Sequence, residues 1–69
     1  MNQSDVLLEL AEVERRSGMK KSAIYAKIKA KKFPAPVKVD GYASRWVESE
    51  IQQWIDALKE ARDNIEAAA

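Results

Sequence analysis

The chain has 69 residues, of which 46% are hydrophobic and 33% are charged, and its formal net charge is +1. This length predicts a single small domain over residues 1–69, with a flexible or extended start at 1–7 and a frayed end at 66–69. The absence of cysteine and histidine excludes disulfides, thiolate catalysis and the usual structural zinc site. No signal peptide or membrane span is predicted, so we expect a soluble cytoplasmic protein.

Charge is unevenly distributed along the chain. From Arg15 to Arg45 there are ten basic residues and one acidic residue, a net charge of +9. The two flanks together hold two basic and ten acidic residues, a net charge of −8. A concentrated basic segment indicates a surface that attracts a polyanion such as nucleic acid. The alternative is that these lysines and arginines are only solvated surface residues.

The first helix is predicted from Leu10 to Ser17, preceded by an extended segment from Val6 to Leu8. Its inward residues are expected to be Leu10, Ala11 and Val13. Glu12 and Arg16 have the spacing of an ion pair on one helix face. Gly18 is placed where a left-handed residue ends a helix.

A second helix is predicted from about Lys21 to Ala30. Its apolar stripe is Ile24 and Ile28, with Met19 and Phe33 at the two ends. The opposite face would present Lys21, Ser22, Tyr25, Lys29 and, just beyond the helix, Lys32. Because only residues 18–20 separate the two helices, they have the outline of a helix-turn-helix.

Two short strands follow. Pro34 and Pro36 prevent any continuation of the second helix and favour an extended path. Strands are predicted at Val37 to Val39 and Ser44 to Trp46, joined by the turn-forming dipeptide Asp40-Gly41. In a helix-turn-helix domain such a hairpin is a wing. The predicted fold is therefore mainly α, a winged helix-turn-helix of three helices with a short two-stranded β-hairpin.

The third helix is predicted from about Ser49 to Ile65. Ser49 and Gln52 have the spacing of a capping box at its start. Its core-facing stripe would consist of Ile51, Trp54, Ile55, Leu58 and Ile65. Two exposed ion pairs are expected, Lys59 with Asp63 and Arg62 with Glu66.

The residues offer little for catalysis. Histidine and cysteine are absent, and the two glycines, Gly18 and Gly41, form no phosphate-binding loop. The acidic residues fall mostly at helix starts and in surface pairs. We therefore expect no enzyme activity, no cofactor and no metal site.

The start of the second helix is the most informative position for binding. Lys20 and Lys21 oppose the helix macrodipole there, where Ser or Asp would be more stabilising. A bound phosphate would reverse that effect, because backbone N–H groups and both ammonium groups would then surround one anion. Otherwise the two lysines simply extend into solvent.

The aromatic residues divide between surface and core. Tyr25 has two interpretations, a DNA contact through its hydroxyl or a ring packed on the first helix. Trp46, Trp54 and Phe33 are expected in the core. At the wing, Lys38, Tyr42, Ser44 and Arg45 are placed to contact a DNA backbone or minor groove, although Asp40 argues against deep insertion of the tip.

Taken together, several segments resemble the AlpA family of small prophage-type regulators. They are Leu10-Ala-Glu-Val13, Ser17-Gly-Met19, Ser22-Ala-Ile-Tyr25, Lys31-Lys-Phe-Pro34-Ala-Pro36-Val-Lys38, Arg45-Trp46, Glu48-Ser-Glu50-Ile and Trp54-Ile55. This family is similar to the wider MerR-like and excisionase-like winged helix-turn-helix domains. Relatives often have a hydroxyl residue where this chain has Lys20, so the second helix either shifts its cap to Ser22 or lacks one.

The resemblance implies a nucleoid-associated transcriptional regulator that binds double-stranded DNA, with the second helix in the major groove. The alternatives are an excisionase or recombination directionality factor, or a basic module that binds an unknown protein partner. A homodimer or cooperative tandem binding is compatible with so small a domain. The candidate DNA-binding residues are Arg15, Arg16, Lys20, Lys21, Ser22, Tyr25, Lys29, Lys32, Lys38, Tyr42, Ser44 and Arg45, with Lys31 as a further phosphate contact.

Overall fold

The computed structural model describes residues 5–68, and the side chains of residues 5–65. Its elements in chain order are β1 (Leu7–Leu8), α1 (Leu10–Ser17), α2 (Lys21–Lys29), β2 (Val37–Val39), β3 (Ala43–Val47) and α3 (Glu48–Ala68). The three strands form one antiparallel sheet in the order β1-β3-β2. The domain is thus mainly helical, with a small sheet against which the helices pack.

Helix α1 has the predicted bounds and the predicted end. Gly18 adopts the left-handed conformation at φ 74°, and its N–H donates to the Glu14 carbonyl at 2.9 Å. Val13 is fully buried and Leu10 is partly buried. The expectation that Ala11 faces inward is wrong, since Ala11 is exposed. Side chains two positions apart on a helix differ in direction by about 200°, so Ala11 and Val13 point to opposite sides.

Helix α2 ends at Lys29, one residue before the predicted end. Ile24 is fully buried, and Phe33 is 6% exposed. Met19 and Ile28 pack against the same core from its edge. The predicted apolar stripe is therefore confirmed, and it leaves the opposite side of α2 facing outward.

The predicted hairpin is confirmed, with β3 one residue longer at each end. Val37 pairs with Arg45 and Val39 with Ala43. Asp40 and Gly41 both have positive φ angles, 55° and 84°, and the Tyr42 N–H donates to the Val39 carbonyl at 3.3 Å. The register leaves three residues, 40–42, between the paired ends Val39 and Ala43, and the positive φ angles of Asp40 and Gly41 turn the chain back within them.

The sheet has one strand more than predicted, because the extended N-terminal segment pairs with β3. Leu7 lies opposite Val47, and Leu8 lies opposite Trp46. Leu8 is buried whereas Leu7 is 48% exposed. A strand of two residues is too short to show the alternation that predicts strands, so the sequence indicated only an extended path.

Helix α3 begins at Glu48, directly after β3, and the predicted capping box is not formed. Ser49 lies inside the helix, and its hydroxyl donates to Asp5 Oδ1 at 2.9 Å. The Glu48 N–H donates instead to the Val6 carbonyl at 2.8 Å. Since no loop residue separates β3 from α3, the backbone beside β1 takes the place of a capping side chain.

The second half of α3 extends beyond the core. Ile51 is fully buried and Trp54 and Ile55 are partly buried, but Leu58 is 53% exposed and Ile65 is 70% exposed. The predicted core stripe is therefore wrong after Ile55. A helix of 21 residues is about 31 Å long, which is more than the small sheet and two short helices cover.

The ion pairs on α3 also differ from the prediction. Lys59 pairs with Asp56 at 3.4 Å, three residues before it, and Arg62 pairs with the adjacent Asp63 at 2.9 Å. Positions three and four residues away are both neighbours on a helix, and here Lys59 takes the nearer one. The predicted partner of Arg62, Glu66, lies outside the described side chains. Fraying at 66–69 stays a prediction.

Two tryptophans join the core to the segment between α2 and β2. Trp46 is fully buried, and its Nε1 donates to the Pro34 carbonyl at 3.1 Å. Trp54 Nε1 donates to the Lys32 carbonyl at 3.0 Å, and its ring meets that of Phe33 edge to face at 4.8 Å. The predicted core roles are confirmed for Trp46 and Phe33, and Trp54 packs at the core edge.

Within residues 5–68, no helix has both the length and the apolar character that a membrane crossing requires. In the same range there is no group of three or more acidic side chains arranged to hold a metal ion.

Candidate nucleic-acid interface

The N-terminus of α2 has no capping side chain. Lys20 occupies the N-cap position in an extended conformation, without a side-chain hydrogen bond to the helix. The Ser17 hydroxyl accepts a bond from the Met19 N–H at 3.2 Å, so it serves the turn before α2. Lys20, Lys21 and Ser22 are all exposed, and the first turn contains no acidic residue. The two alternatives were a cap shifted to Ser22 and no cap, and the structure shows no capping side chain.

This arrangement opposes helix stability but suits an anion. The positive end of the macrodipole lies beside two ammonium groups, which is unfavourable for the isolated helix. The N–H groups of the first turn have no partner inside the helix, and an approaching anion would accept hydrogen bonds from them.

Tyr25 contributes to both the core and the surface. Its ring meets Trp46 edge to face, with the ring centroids 6.1 Å apart, and 38% of the residue stays exposed. The ring therefore packs against β3, whereas the sequence favoured the first helix as a packing partner. Lys29, one turn later on α2, is exposed as well. The outer side of α2 thus presents an aromatic ring that its packing holds in place.

Three predicted wing residues contact one another on the hairpin. Lys38 Nζ donates to the Ser44 hydroxyl at 2.7 Å, and Arg45 Nη1 donates to the Ser44 carbonyl at 2.8 Å. Arg45 Nη2 also lies 4.0 Å from Glu9 Oε2. Tyr42 is 79% exposed at the turn. The hairpin therefore presents two basic side chains and one exposed ring beside Asp40.

The two arginines at the end of α1 are bound to carboxylates. Arg16 donates to Glu12 at 2.7 Å and to Glu48 at 2.8 Å, which connects α1 to the start of α3. Arg15 Nε donates to Glu12 Oε1 at 3.0 Å, and Arg15 Nη2 also donates to Glu12. These hydrogen bonds from Arg15 and Arg16 lower the pKa of the Glu12 carboxyl to about 2.

The sequence pattern did not predict the Arg16–Glu48 ion pair. Its partners are 32 residues apart, whereas the spacing rules that predicted the Glu12–Arg16 pair operate within one helix. Arg15 differs from Arg16 in that 70% of its side chain is exposed, against 30% for Arg16. Arg15 is consequently the more accessible of the two cations.

Lys31 and Lys32 lie after α2, beside an open groove that α3 borders through Glu50, Gln53 and Trp54. Both lysines are exposed. The candidate residues thus form three groups, on α2, on the hairpin and at the end of α1, with Lys31 and Lys32 between the first two along the chain. The Tyr25–Trp46 contact connects the first group to the strand that carries Ser44 and Arg45.

Comparison with known proteins identifies a family. A family model described as Prophage CP4-57 regulatory protein (AlpA) matches residues 6–59. No curated protein and no solved structure matches the chain. The matched range begins just before β1 and ends within α3, so it contains α1, α2 and the hairpin. The chain therefore belongs to the AlpA family of prophage regulatory proteins.

Proposed function

We propose that the chain is a sequence-specific, DNA-binding transcriptional regulator built as a winged helix-turn-helix. Helices α1 and α2 form the helix-turn-helix, α2 enters the major groove, and the β2–β3 hairpin is the wing. The observation that carries the proposal is the start of α2, where Lys20 stands at an uncapped N-cap beside Lys21. A phosphate bound there would provide the negative charge that this helix end lacks.

The proposal divides the contacts into two kinds. Lys21, Ser22, Tyr25 and Lys29 belong to the exposed side of α2 and are assigned to base edges in the groove. The phosphate contacts are assigned to basic residues around that helix, namely Arg15, Lys20, Lys31, Lys32, Lys38 and Arg45. Arg16 joins them only by exchanging a carboxylate partner for a phosphate, since Glu12 and Glu48 bind it in the free protein.

The hairpin is assigned to the DNA backbone or the minor groove. Its hydrogen bonds between Lys38, Ser44 and Arg45 hold the basic side chains on the strands, while Tyr42 is exposed at the turn. Asp40 at the tip would be repelled by phosphates. This repulsion disfavours deep insertion of the tip, so the hairpin contacts DNA without burying Asp40, with Tyr42 and Ser44 as its polar contacts.

A mutant series on two DNA duplexes tests this division. One duplex is selected by the wild-type protein from a random pool, and the other is a scrambled version of it. Lys21→Ala and Tyr25→Ala should reduce the preference for the selected duplex, because they remove base contacts. Lys32→Ala should weaken binding to both duplexes alike. Lys59→Ala, on α3, is the matched control and should change neither.

Equal losses on both duplexes for every variant would show that α2 does not contact bases. Binding of a protein partner that persists after nuclease treatment, without DNA binding, would favour the protein-interaction module instead. A footprint across a promoter supports regulation of transcription, and one across an attachment site supports recombination directionality.

We further propose that the protein acts in the cytoplasm on the nucleoid, as a homodimer or cooperatively on tandem sites, because one small domain covers a short site.

A further inference from the structure

Helix α2 ends at a lysine in the left-handed backbone conformation. Lys31 has a φ angle of 62° and directly follows the C-cap residue, Ala30. The Lys31 N–H donates to the Ile28 carbonyl at 2.9 Å, and the Lys32 N–H donates to the Lys27 carbonyl at 2.8 Å. These two bonds define a Schellman motif, in which the residue after the cap is left-handed and is usually glycine.

A lysine is an unfavourable residue at this position. Glycine is preferred there because any Cβ in the left-handed conformation crowds the neighbouring backbone. The chain itself provides the comparison, since α1 ends with a left-handed residue at φ 74° that is Gly18. Helix α2 thus has a lysine where glycine would make the helix end more stable.

The helix macrodipole does not account for this lysine. A cation near a helix C-terminus is favourable, but Lys27 and Lys29 already lie in the last turn of α2. A further positive charge at residue 31 adds to a dipole interaction that two lysines already provide.

The backbone around Lys31 is held in place while its side chain is exposed. Trp54 Nε1 donates to the carbonyl of the following residue, Lys32, at 3.0 Å, and the Phe33 ring packs against the Trp54 ring. Together with the two Schellman bonds, these contacts fix the backbone from which the ammonium group extends. Because this backbone is already ordered, binding of an anion by the Lys31 side chain costs no further backbone entropy there.

The other end of α2 shows the same preference for charge over stability. Lys20 stands at the N-cap without a capping hydrogen bond. Helix α2 has nine residues and is about 14 Å long, whereas the major groove is about 12 Å wide. A helix of that length that lies in the groove at an angle to the two backbones brings its ends towards opposite phosphate backbones.

We propose that Lys31 binds a DNA phosphate on the strand opposite to the one that Lys20 contacts. The lysine provides this contact at a cost in stability, because it occupies a left-handed position. This inference rests on the proposed DNA-binding function. Three substitutions separate charge from conformation: Lys31→Gly removes both the charge and the strain, Lys31→Ala removes only the charge, and Lys31→Arg keeps both.

The test measures Tm and the salt dependence of binding to the duplex that the wild-type protein selects from a random pool. Lys31→Gly should raise Tm by roughly 2–6 °C, and Lys31→Ala and Lys31→Arg should not. The Gly and Ala variants should both bind roughly 3–10-fold more weakly, with a log–log salt slope shallower by about 0.9, while the Arg variant keeps wild-type affinity. Lys59→Ala is again the control.

Phosphate ethylation interference on the same duplex tests the two strands. Interference that disappears in Lys31→Ala should lie on one strand, and interference that disappears in Lys20→Ala should lie on the other. Wild-type affinity of the Gly and Ala variants, or loss of interference on the same strand for both positions, would overturn the inference while leaving the proposed function intact. If the wild-type protein selects no duplex at all, the proposed function itself fails.

Discussion

At the scale of single residues, Glu12 contributes stability that depends on pH in the acid range. Hydrogen bonds from Arg15 and Arg16 lower the pKa of this carboxyl from 4.5 to about 2. A group whose pKa is lower in the folded than in the unfolded chain stabilises the fold above its unfolded pKa, and that contribution is lost as the pH falls through the folded pKa. The contribution of Glu12 should therefore be complete above about pH 4.5 and lost by about pH 2.

Urea unfolding of the wild type and of Glu12→Gln across this pH range measures the effect. The variant should be less stable than the wild type at neutral pH, and the difference should shrink as the pH falls from about 4.5 to about 2. A difference in stability that stays constant with pH would contradict this assignment.

Tyr25 illustrates what the sequence predicts about one residue. Its place beside the Ile24/Ile28 stripe allowed either a DNA contact or a packed ring. The ring packs on Trp46 while 38% of the residue stays exposed, and the DNA contact stays a prediction. Its packing partner, Trp46, is 21 positions away along the chain, so helical spacing does not identify it. Arg16 shows the same limit, because Glu48 belongs to another helix.

At the scale of secondary-structure elements, the start of α2 is less stable than it would be with a capping residue at position 20. Lys20→Ser would place a hydroxyl where it accepts a bond from the first turn of the helix, and we predict a gain of about 0.5–2 kcal/mol over Lys20→Ala. Urea unfolding of the two variants measures this difference, with wild type as the reference. Equal stability of the serine and alanine variants would show that the serine hydroxyl does not accept a hydrogen bond from the first turn of α2.

Helix α3 divides into a packed half and an exposed half. Ile51→Ala removes a fully buried side chain and should lower the free energy of unfolding by about 2–5 kcal/mol. Leu58 is 53% exposed, so Leu58→Ala should cost less than about 1 kcal/mol. Chemical denaturation of both variants checks the contrast. Similar losses at the two positions would mean that the far half of α3 packs on the domain.

The sequence predicted those elements whose signals are local. Gly18 ends α1, the Ile24/Ile28 stripe defines α2, and Asp40-Gly41 makes the hairpin turn, each within a few residues. It predicted the start of α3 to within one residue, but not that the extended N-terminal segment pairs as β1 or that the Val6 carbonyl accepts from the Glu48 N–H, because each depends on a partner at the other end of the chain. The apolar stripe of α3 has the right spacing along its whole length, but spacing alone does not show where the packing partners end.

At the scale of the whole molecule, the uneven charge distribution separates elements rather than whole surfaces, since Glu50 of α3 borders the same groove as Lys31 and Lys32. The basic segment from Arg15 to Arg45 supplies the exposed lysines at both ends of α2 and the basic side chains of the hairpin. Acidic residues are concentrated on α1 and α3, and some of them, such as Glu12 and Glu48, bind the arginines of α1. The candidate residues could be named from the sequence, and their contact with DNA stays a prediction. The partners that restrict Arg16 and hold the backbone of Lys31 in place became evident only in the folded chain.

The central claim is that these basic surfaces bind DNA. Fluorescence anisotropy of a labelled duplex, selected by the protein from a random pool, measures the binding constant as the salt concentration increases. The logarithm of the binding constant should fall linearly with the logarithm of salt, by about 0.9 for each phosphate that the protein neutralises. Binding that does not change with salt, or no binding to any duplex, would contradict the claim.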